Sequence, residues 1–262
     1  MITVISHADD LGMNAANDEA ILEAAAAGQL SEISCLVVLG LDAKRASTYS
    51  IPPHVVLGLH FCLTEGLLAV SSRDLSGLAE PTDSLTALAL LVIRLQAGLV
   101  KEETIEKELI AQLERFKHLF GRYPRHVDSH QHVHLFQPVA KVVRRVCKEY
   151  SVESLRTSKR YLVGRKASPI SPVLNVRAHA TARHLALPRQ NVADAMFDPR
   201  FPTRGSVRDS LAALPDGTTV EIIWHLSTDP AEGWRHAERE LILSGAWREG
   251  LDIEMGTYAP TE

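Results

Sequence analysis

The sequence predicts an α/β protein, a TIM-like (β/α) barrel that is irregular and has seven or eight strands. Short apolar runs alternate with helical stretches along the chain, which is the pattern of a parallel sheet with helices outside it. The chain has 262 residues, of which 45% are hydrophobic. That length suits seven or eight strand–helix units in one domain over residues 1–262. A doubly wound open sheet is the alternative.

The N-terminal half is assigned from apolar runs and the residues that interrupt them. The β-branched run Ile2–Ser6 predicts the first strand. The Ala-rich stretch Asn14–Ala27 has apolar residues at helical spacing, and Gly28 is suited to end that helix. The remaining elements are strands over Ile33–Leu39 and Val55–His60, a loop over Ser71–Ser84, and helices over Leu85–Ala97 and Glu103–Phe120.

The C-terminal half continues the alternation with shorter elements. Strands are predicted over His126–Ser129, Ser154–Thr157, Ala193–Phe197 and Thr219–His225. Helices are predicted over Pro138–Tyr150, with proline near the first turn, and over Trp234–Trp247 as the closing helix. Residues 158–189 are basic and contain proline, and they receive no assignment.

Composition argues against several classes of function. The net charge is −4 with scattered lysines and arginines, so nucleic acid is not an expected partner. No apolar run reaches the roughly 18 residues that span a bilayer, and the N-terminus lacks a basic leader, so neither a membrane span nor a signal peptide is expected. The three cysteines have no paired spacing and are expected to be buried thiols. The expected location is the cytoplasm.

Two stretches carry the strongest chemical signal. In Asp128–His134, histidines recur at every second position, which predicts an extended chain with three imidazoles and Asp128 on one side. Two adjacent carboxylates, Asp9 and Asp10, follow the first apolar run. Carboxylates and imidazoles build hydrolytic metal centres. The sequence therefore predicts a metal-dependent enzyme.

Polar residues follow several predicted strands at the point where each strand ends. In both candidate folds the site lies at the C-terminal ends of parallel strands. The residues at these ends are Asp9 and Asp10, His60, Asp128 and His130, and His225. Independent segments are thus expected to deliver them to one rim.

Each of these residues also has a structural interpretation. In the structural interpretation, Asp9–Asp10 cap a helix. His60 is a hydrogen-bonded structural residue at the end of a strand, and His225 is a core histidine. The remaining histidines are interpreted as ordinary: His7, His54, His118, His126, His179, His184 and His236. The sequence contains no phosphate loop, dinucleotide glycine motif or Gly-x-Ser-x-Gly motif, which disfavours nucleotide-dependent transfer and serine hydrolysis.

Three collinear motifs carry a family resemblance. They are His7-Ala-Asp-Asp-Leu-Gly12 with Asn17, Gly58-Leu-His60 with Leu63-Thr-Glu-Gly66, and His126-Val-Asp-Ser-His-Gln-His-Val-His134. Together they resemble the YdjC-like carbohydrate deacetylases, which include chitooligosaccharide deacetylases. The match is dense in the first half and thin in the second. This chain has His225-Leu-Ser where the family usually has His-Pro, and residues 158–204, where substrate loops are expected, match poorly.

The resemblance implies a TIM-like barrel that holds one divalent metal, Mg²⁺ or Zn²⁺, through Asp10, His60 and His130. It implies that Asp9 is the general base and His225 the proton donor. The residues assigned to substrate binding are Asn17, Asp128 and His132. For Asp128 and His132 the alternative role is to orient His130. The implied reaction is hydrolysis of the acetyl group of an N-acetylated sugar or oligosaccharide by metal-activated water.

Two other interpretations remain at this stage. One is a metal-dependent sugar isomerase or phosphoesterase on a similar barrel. The other is a non-catalytic carbohydrate-binding relative, although pure binding does not need the spare carboxylate of the Asp9–Asp10 pair. The expected partner is a small-molecule carbohydrate, and a homodimer is an open alternative for the oligomeric state.

Overall fold

A parallel sheet that curls into a barrel forms the centre of the molecule. The computed structural model describes residues 1–79, 83–163, 184–199 and 204–259. Its strands run in the order β5-β4-β3-β2-β1-β8-β7-β6, with β9 against β1. The strands are β1 Ile2–Leu11, β2 Glu32–Cys35, β3 Val56–Phe61, β4 His126–Ser129, β5 Ser154–Leu155, β6 Tyr161–Val163, β7 Ala195–Asp198, β8 Thr219–Trp224 and β9 Ile253–Met255. The predicted α/β barrel is confirmed.

Residues 154–163 bring the two ends of the sheet together. Through β5 this segment pairs with β4, and through β6 it pairs with β7. Between the two, a parallel bridge joins Ser158 to Ala193. The segment is therefore shared by both ends of the strand order, and this closes the barrel.

The helices lie between successive strands, as a parallel sheet requires. They are α1 Ala15–Ala26, α2 Ala43–Ala46, α3 Ser72–Leu75, α4 Ser84–Gln96, α5 Glu102–Phe120, α6 Val139–Glu149, α7 Arg204–Ala212 and α8 Trp234–Ser244. Helix α1 begins after Asn14, whose side chain accepts a hydrogen bond from the backbone N–H of Asn17. No helix in the described ranges is long and apolar enough to cross a membrane.

Several elements differ from the sequence-based prediction. Strand β2 ends at Cys35 rather than Leu39, and the last predicted helix ends at Ser244, where Gly245 adopts the left-handed backbone. Strands β6 and β9 and helix α7 were not predicted, because three-residue strands and a mostly polar helix give weak periodicity. Part of the unassigned basic region, residues 164–183 with His179, lies outside the described residues, as do residues 200–203.

The predicted extended histidine tract is wrong. Strand β4 ends at Ser129, and His130–Leu135 form a 3₁₀ turn in which Gln131 and His132 have left-handed backbones. His130 and His132 line a pocket, whereas His134 is buried and its Nδ1 lies 2.5 Å from Ser129 Oγ. The three imidazoles therefore do not share one side of a strand.

Charged residues fill the lower part of the barrel interior. His7 is fully buried, with Nδ1 3.3 Å from Glu32 and 3.2 Å from Glu221. The C-terminal segment after β9 seals this region, since the Tyr258 hydroxyl donates to Glu221 at 2.7 Å and its ring stacks on His126. His7 and His126 are thus part of a buried polar cluster rather than ordinary histidines.

Gly58 in β3 permits close contact with β4. A Cβ at this position would lie 2.7 Å from the backbone oxygen of His126. We expect Gly58→Ala to lower the free energy of unfolding by about 3 kcal/mol, because a strand must move to relieve the overlap. Gly98→Ala is the control: Gly98 has a left-handed backbone but open space around it, so the cost should be about 1 kcal/mol. Urea denaturation measures both, and equal losses would contradict a steric requirement at Gly58.

Candidate active site

A cavity of about 190 Å³ opens at the C-terminal ends of the strands. Its described lining residues are Asp9, Asp10, His60, Leu85, His130, Gln131, His132, His225, Trp234 and Arg235. A larger cavity of about 720 Å³ lies against α6, and four lysines and arginines of that helix are among its lining residues. We assign the chemistry to the smaller cavity, because carboxylates and imidazoles converge there.

An irregularity at the end of β1 directs Asp10 into the cavity. The pairing of β1 with β2 shifts register between Ala8 and Leu11, and Asp10 has a left-handed backbone with φ 70°. The next turn is fixed by Asp18, whose carboxylate accepts the backbone N–H of Gly12 at 2.7 Å. Two adjacent aspartates can therefore face different partners.

Asp10, His60 and His130 form a compact donor cluster. Asp10 Oδ1 lies 3.4 Å from His60 Nε2 and 3.1 Å from His130 Nδ1. One donor atom from each residue falls within 4.8 Å of the others. One carboxylate and two imidazoles in this arrangement are a suitable donor set for a divalent cation.

Each imidazole of the cluster has a carboxylate on its other nitrogen. His60 Nδ1 lies 2.7 Å from Asp128 Oδ1, a contact favoured by the register that places His60 opposite Asp128 in β3 and β4. His130 Nε2 lies 3.2 Å from Glu65 Oε1. Such contacts orient an imidazole and fix which nitrogen carries its proton. Asp128 thus contacts His60. The sequence analysis had expected it to orient His130 or to contact the substrate.

Helix α5 holds the loop that carries Glu65. Buried Glu108 accepts the backbone N–H groups of Leu68, Ala69 and Val70 at 2.8–3.2 Å. Gln112 bonds both the N–H and the carbonyl of Cys62, at 3.0 and 2.7 Å. These two side chains tie both ends of the loop to the helix and so position Glu65 beside His130.

Arg156 binds both oxygens of Asp9, whose Oδ2 also lies 3.8 Å from His60 Nε2. The guanidinium donates to both Asp9 oxygens, at 2.6 and 3.0 Å, and also contacts Asp128 at 2.8 Å and Glu221 at 2.8 Å. Burial alone would raise the pKa of Asp9, but the charge of Arg156 outweighs it, and the pKa lies below its usual value. Asp9 is therefore an ionised carboxylate in a fixed orientation.

Positive charge also surrounds Asp10. Arg235 donates to Asp10 Oδ2 at 2.9 Å. Burial would raise the pKa of Asp10, but the hydrogen bond from His130, followed by the charges of His130 and Arg235, holds this pKa well below its usual value. Asp10 also remains ionised, which a metal-binding carboxylate requires.

His225 lines the cavity near Asp9. Its Nε2 lies 4.0 Å from Asp9 Oδ2, and its ring contacts Trp234 with centroids 5.3 Å apart. The backbone N–H of His225 donates to buried Glu238 at 2.7 Å. Burial lowers the pKa of His225 to about 4, so its imidazole is neutral at pH 7 in the free protein.

The structure brings most of the predicted site residues together. Asp9, Asp10, His60, His130, His132 and His225 line the cavity, and Asp128 lies directly behind His60. Asn17 is not among the described lining residues; it is fully buried, and its amide donates to the Leu226 carbonyl at 2.6 Å. Asn17 therefore joins α1 to the segment after β8, and its contact with substrate stays a prediction.

Sequence reasoning missed several residues of this region, among them Gln131 of the cavity lining. Arg156, Arg235 and Trp234 come from segments without a recognisable motif, and the two arginines meet the aspartates only through the fold. Glu65 had a signal, since it lies in the Leu63-Thr-Glu-Gly66 motif of the resemblance.

Comparison with known proteins gives a consistent family. A family model described as YdjC-like protein matches residues 3–252. The carbohydrate deacetylase of Mus musculus is 35% identical over 156 residues, 59% of this chain and 50% of the relative. The chitooligosaccharide deacetylase of Yersinia pestis (strain Pestoides F) is 32% identical over 151 residues, 57% of each chain. This chain spans about half the length of the curated relatives it matches.

A solved structure resembles the whole fold. It is a protein of Enterococcus faecalis V583 to which cleavage of cellobiose phosphate has been ascribed, with a TM-score of 0.68 and 19% sequence identity. The likeness covers 98% of this chain and 97% of that one. It supports the barrel architecture.

Arg156 provides a test of the buried charge arrangement. We expect Arg156→Met to lower the free energy of unfolding by about 3–5 kcal/mol, because it leaves buried carboxylates without their countercharge. Arg125→Met is the matched control, since Arg125 makes a similar paired contact with Glu153 at a partly exposed position and should cost less than about 1 kcal/mol. Chemical denaturation at pH 7 measures both, and similar losses would mean that burial does not set the cost.

Proposed function

This chain belongs to the YdjC-like protein family, and we propose that it is a metal-dependent hydrolase that removes the acetyl group from an N-acetylated sugar or oligosaccharide. The observation that carries the proposal is that two adjacent aspartates have different partners. Asp10 lies nearer to His60 and contacts His130, whereas both oxygens of Asp9 accept from Arg156. Asp9 Oδ2 lies between two imidazoles, 3.8 Å from His60 and 4.0 Å from His225. Deacetylase names among the relatives give the reaction class.

The donor set fits one divalent ion, Mg²⁺ or Zn²⁺. Asp10, His60 and His130 would hold it, with Asp128 and Glu65 orienting the two imidazoles. His130 has its pKa raised well above the ordinary value, because the hydrogen bond and charge of Asp10 outweigh the effect of its burial. A bound cation would neutralise Asp10 as the proton on His130 does in its absence. We therefore expect metal binding to release that proton from His130.

Asp9 acts as the base in this proposal. When bound, the metal supplies a Lewis acid that polarises the acetyl carbonyl and makes water more acidic. Asp9 accepts a proton from the attacking water, while the bidentate contact with Arg156 keeps the carboxylate aimed at the cavity. The water oxygen forms a bond to the acetyl carbon as that proton leaves.

His225 returns a proton to the leaving group. With a pKa of about 4 it carries no spare proton at pH 7, so the proton must come from the reaction itself. Asp9 Oδ2 lies 4.0 Å away and can supply the proton taken from water. His225 passes it to the amine nitrogen as the C–N bond breaks, which yields acetate and a free amine.

The wall around Trp234 suits a sugar. Trp234 and Arg235 also line a neighbouring cavity of about 290 Å³, which offers room beside the reacting group. An aromatic ring with an adjacent cation presents an apolar face and hydrogen-bond donors together. This arrangement supports a carbohydrate as substrate, while contacts through His132 and Asn17, a homodimer and a cytoplasmic location stay predictions.

The first test separates metal binding from base catalysis. We expect the metal-loaded protein to release acetate from N-acetylated mono- or disaccharides. His130→Ala should lose the metal, whereas Asp9→Asn should retain it and lower kcat by about 10²–10⁴-fold, since it removes a base and not a ligand. His54→Ala, at an exposed histidine, is the control and should keep metal and activity. Loss of metal from Asp9→Asn would show that Asp9 is a ligand, and absence of acetate would favour an isomerase, a phosphoesterase or a binding protein.

The second test concerns His225. In a folded, metal-loaded His225→Gln variant, kcat/KM for an N-acetyl sugar should fall by about 10²–10⁴-fold, because an amine must be protonated as it leaves. An activated acetyl ester has a leaving group that needs no proton and should be affected much less. Steady-state kinetics on both substrates make the comparison. Equal losses, together with a lower melting temperature, would indicate a structural role for His225.

A further inference from the structure

Left-handed backbone conformations are concentrated at this cavity. Among the described residues, five that are not glycine have positive φ, and three of them, Asp10, Gln131 and His132, line it. Such a conformation costs a residue with a Cβ about 1–3 kcal/mol and persists where the surrounding structure imposes it. For Gln131 the result is that a side chain next to His130 turns into the cavity wall.

The Gln131 side chain carries an acceptor with no donor. Its Oε1 is buried, and no donor among the described residues lies within hydrogen-bonding distance. A buried acceptor in this state is normally destabilising, because it has lost water and gained nothing in return. An unpaired acceptor in a residue with a strained backbone, at a site, indicates that a ligand supplies the missing hydrogen-bond donor.

The carboxylate oxygens of the cavity already have partners in the protein. Asp9 accepts two bonds from Arg156, and Asp10 has His130 on one oxygen and Arg235 on the other. Among the side-chain oxygens of the described lining residues, Gln131 Oε1 is therefore the one that has no donor. In an N-acetylated sugar, the donor that belongs to the reacting group is the amide N–H.

We propose that Gln131 selects an amide substrate by accepting a hydrogen bond from the N–H of its N-acetyl group. This inference rests on the proposed function and adds the residue that distinguishes an amide from an ester. An O-acetyl ester has the same carbonyl but no N–H, so it gains nothing from Gln131. The bond also fixes the amide plane, with the carbonyl turned towards the donor cluster.

The test combines a change in the protein with a change in the substrate. Gln131→Met keeps the length of the side chain and removes the acceptor. We expect kcat/KM for an N-acetyl sugar to fall by about 10- to 100-fold, while that for the matching O-acetyl ester changes less than about threefold. Metal content should be unchanged, and the melting temperature should be equal or higher, because an unsatisfied buried acceptor has been removed.

Two further variants guard against misfolding and non-specific effects. Gln131→Gly also removes the acceptor and relieves the left-handed backbone, so it should show the same loss of selectivity in a more stable protein. Gln190→Met is the matched control: its amide bonds Leu155 and Leu187, so the substitution should lower the melting temperature and leave the amide-to-ester ratio unchanged. Equal losses on amide and ester in Gln131→Met, or no loss on either, would overturn the proposal.

Calorimetry separates this proposal from the proposed function. N-acetylglucosamine is titrated into the metal-loaded wild type and into Gln131→Met, with glucosamine as the ligand that lacks the amide. Weaker binding of N-acetylglucosamine alone by the variant supports the Gln131 contact, even if the wild type releases no acetate and the deacetylase assignment fails. Equal binding by both proteins, or no binding by the wild type, overturns the contact.

Discussion

The active region depends on a single buried guanidinium. Arg156 follows β5 and bonds carboxylates from three other strands: Asp9 of β1, Asp128 of β4 and Glu221 of β8. It binds Asp9, the proposed base, and it also binds Asp128, which in turn orients His60. Burying so many charges is tolerable only because each carboxylate has a cationic or hydrogen-bonding partner. The same contacts therefore serve packing and chemistry.

His7 extends this arrangement towards the bottom of the barrel. Its Nε2 lies 3.2 Å from Asp128, and its Nδ1 faces Glu32 and Glu221. Burial and the charge of Arg156 act to lower the pKa of His7, but the surrounding carboxylates outweigh both and raise it well above the ordinary value. The His7 ring thus lies between carboxylates on both of its nitrogen sides. TIM barrels usually fill this space with branched apolar side chains, whereas here a charged layer supports the site from below.

Local sequence patterns predicted the long elements and the rim, but not the contacts across the barrel. Apolar runs located β1, β3 and β8 in the sequence. Because parallel strands have their C-terminal ends at one rim, Asp10 and His60 at two strand ends and His130 after β4 were predicted to lie near one another. Arg156 and Arg235 carry no local signal for this site, because the aspartates that they bind are 147 and 225 positions away in the sequence. The histidine tract misled for a different reason. Alternation predicts a strand only while the backbone stays extended, and Gln131 turns into the left-handed region instead.

The segment that contains β9 and Tyr258 closes the bottom of the barrel. Strand β9 adds to β1, and the backbone N–H of Tyr258 donates to Glu32 while its hydroxyl donates to Glu221. Glu32 and Tyr258 are 226 positions apart in the sequence, so only the fold brings this donor to the buried carboxylate. One tyrosine thus provides a hydrogen bond to two interior carboxylates, one through its backbone and one through its hydroxyl. The charged layer is therefore closed to water from below by a residue that belongs to no strand or helix.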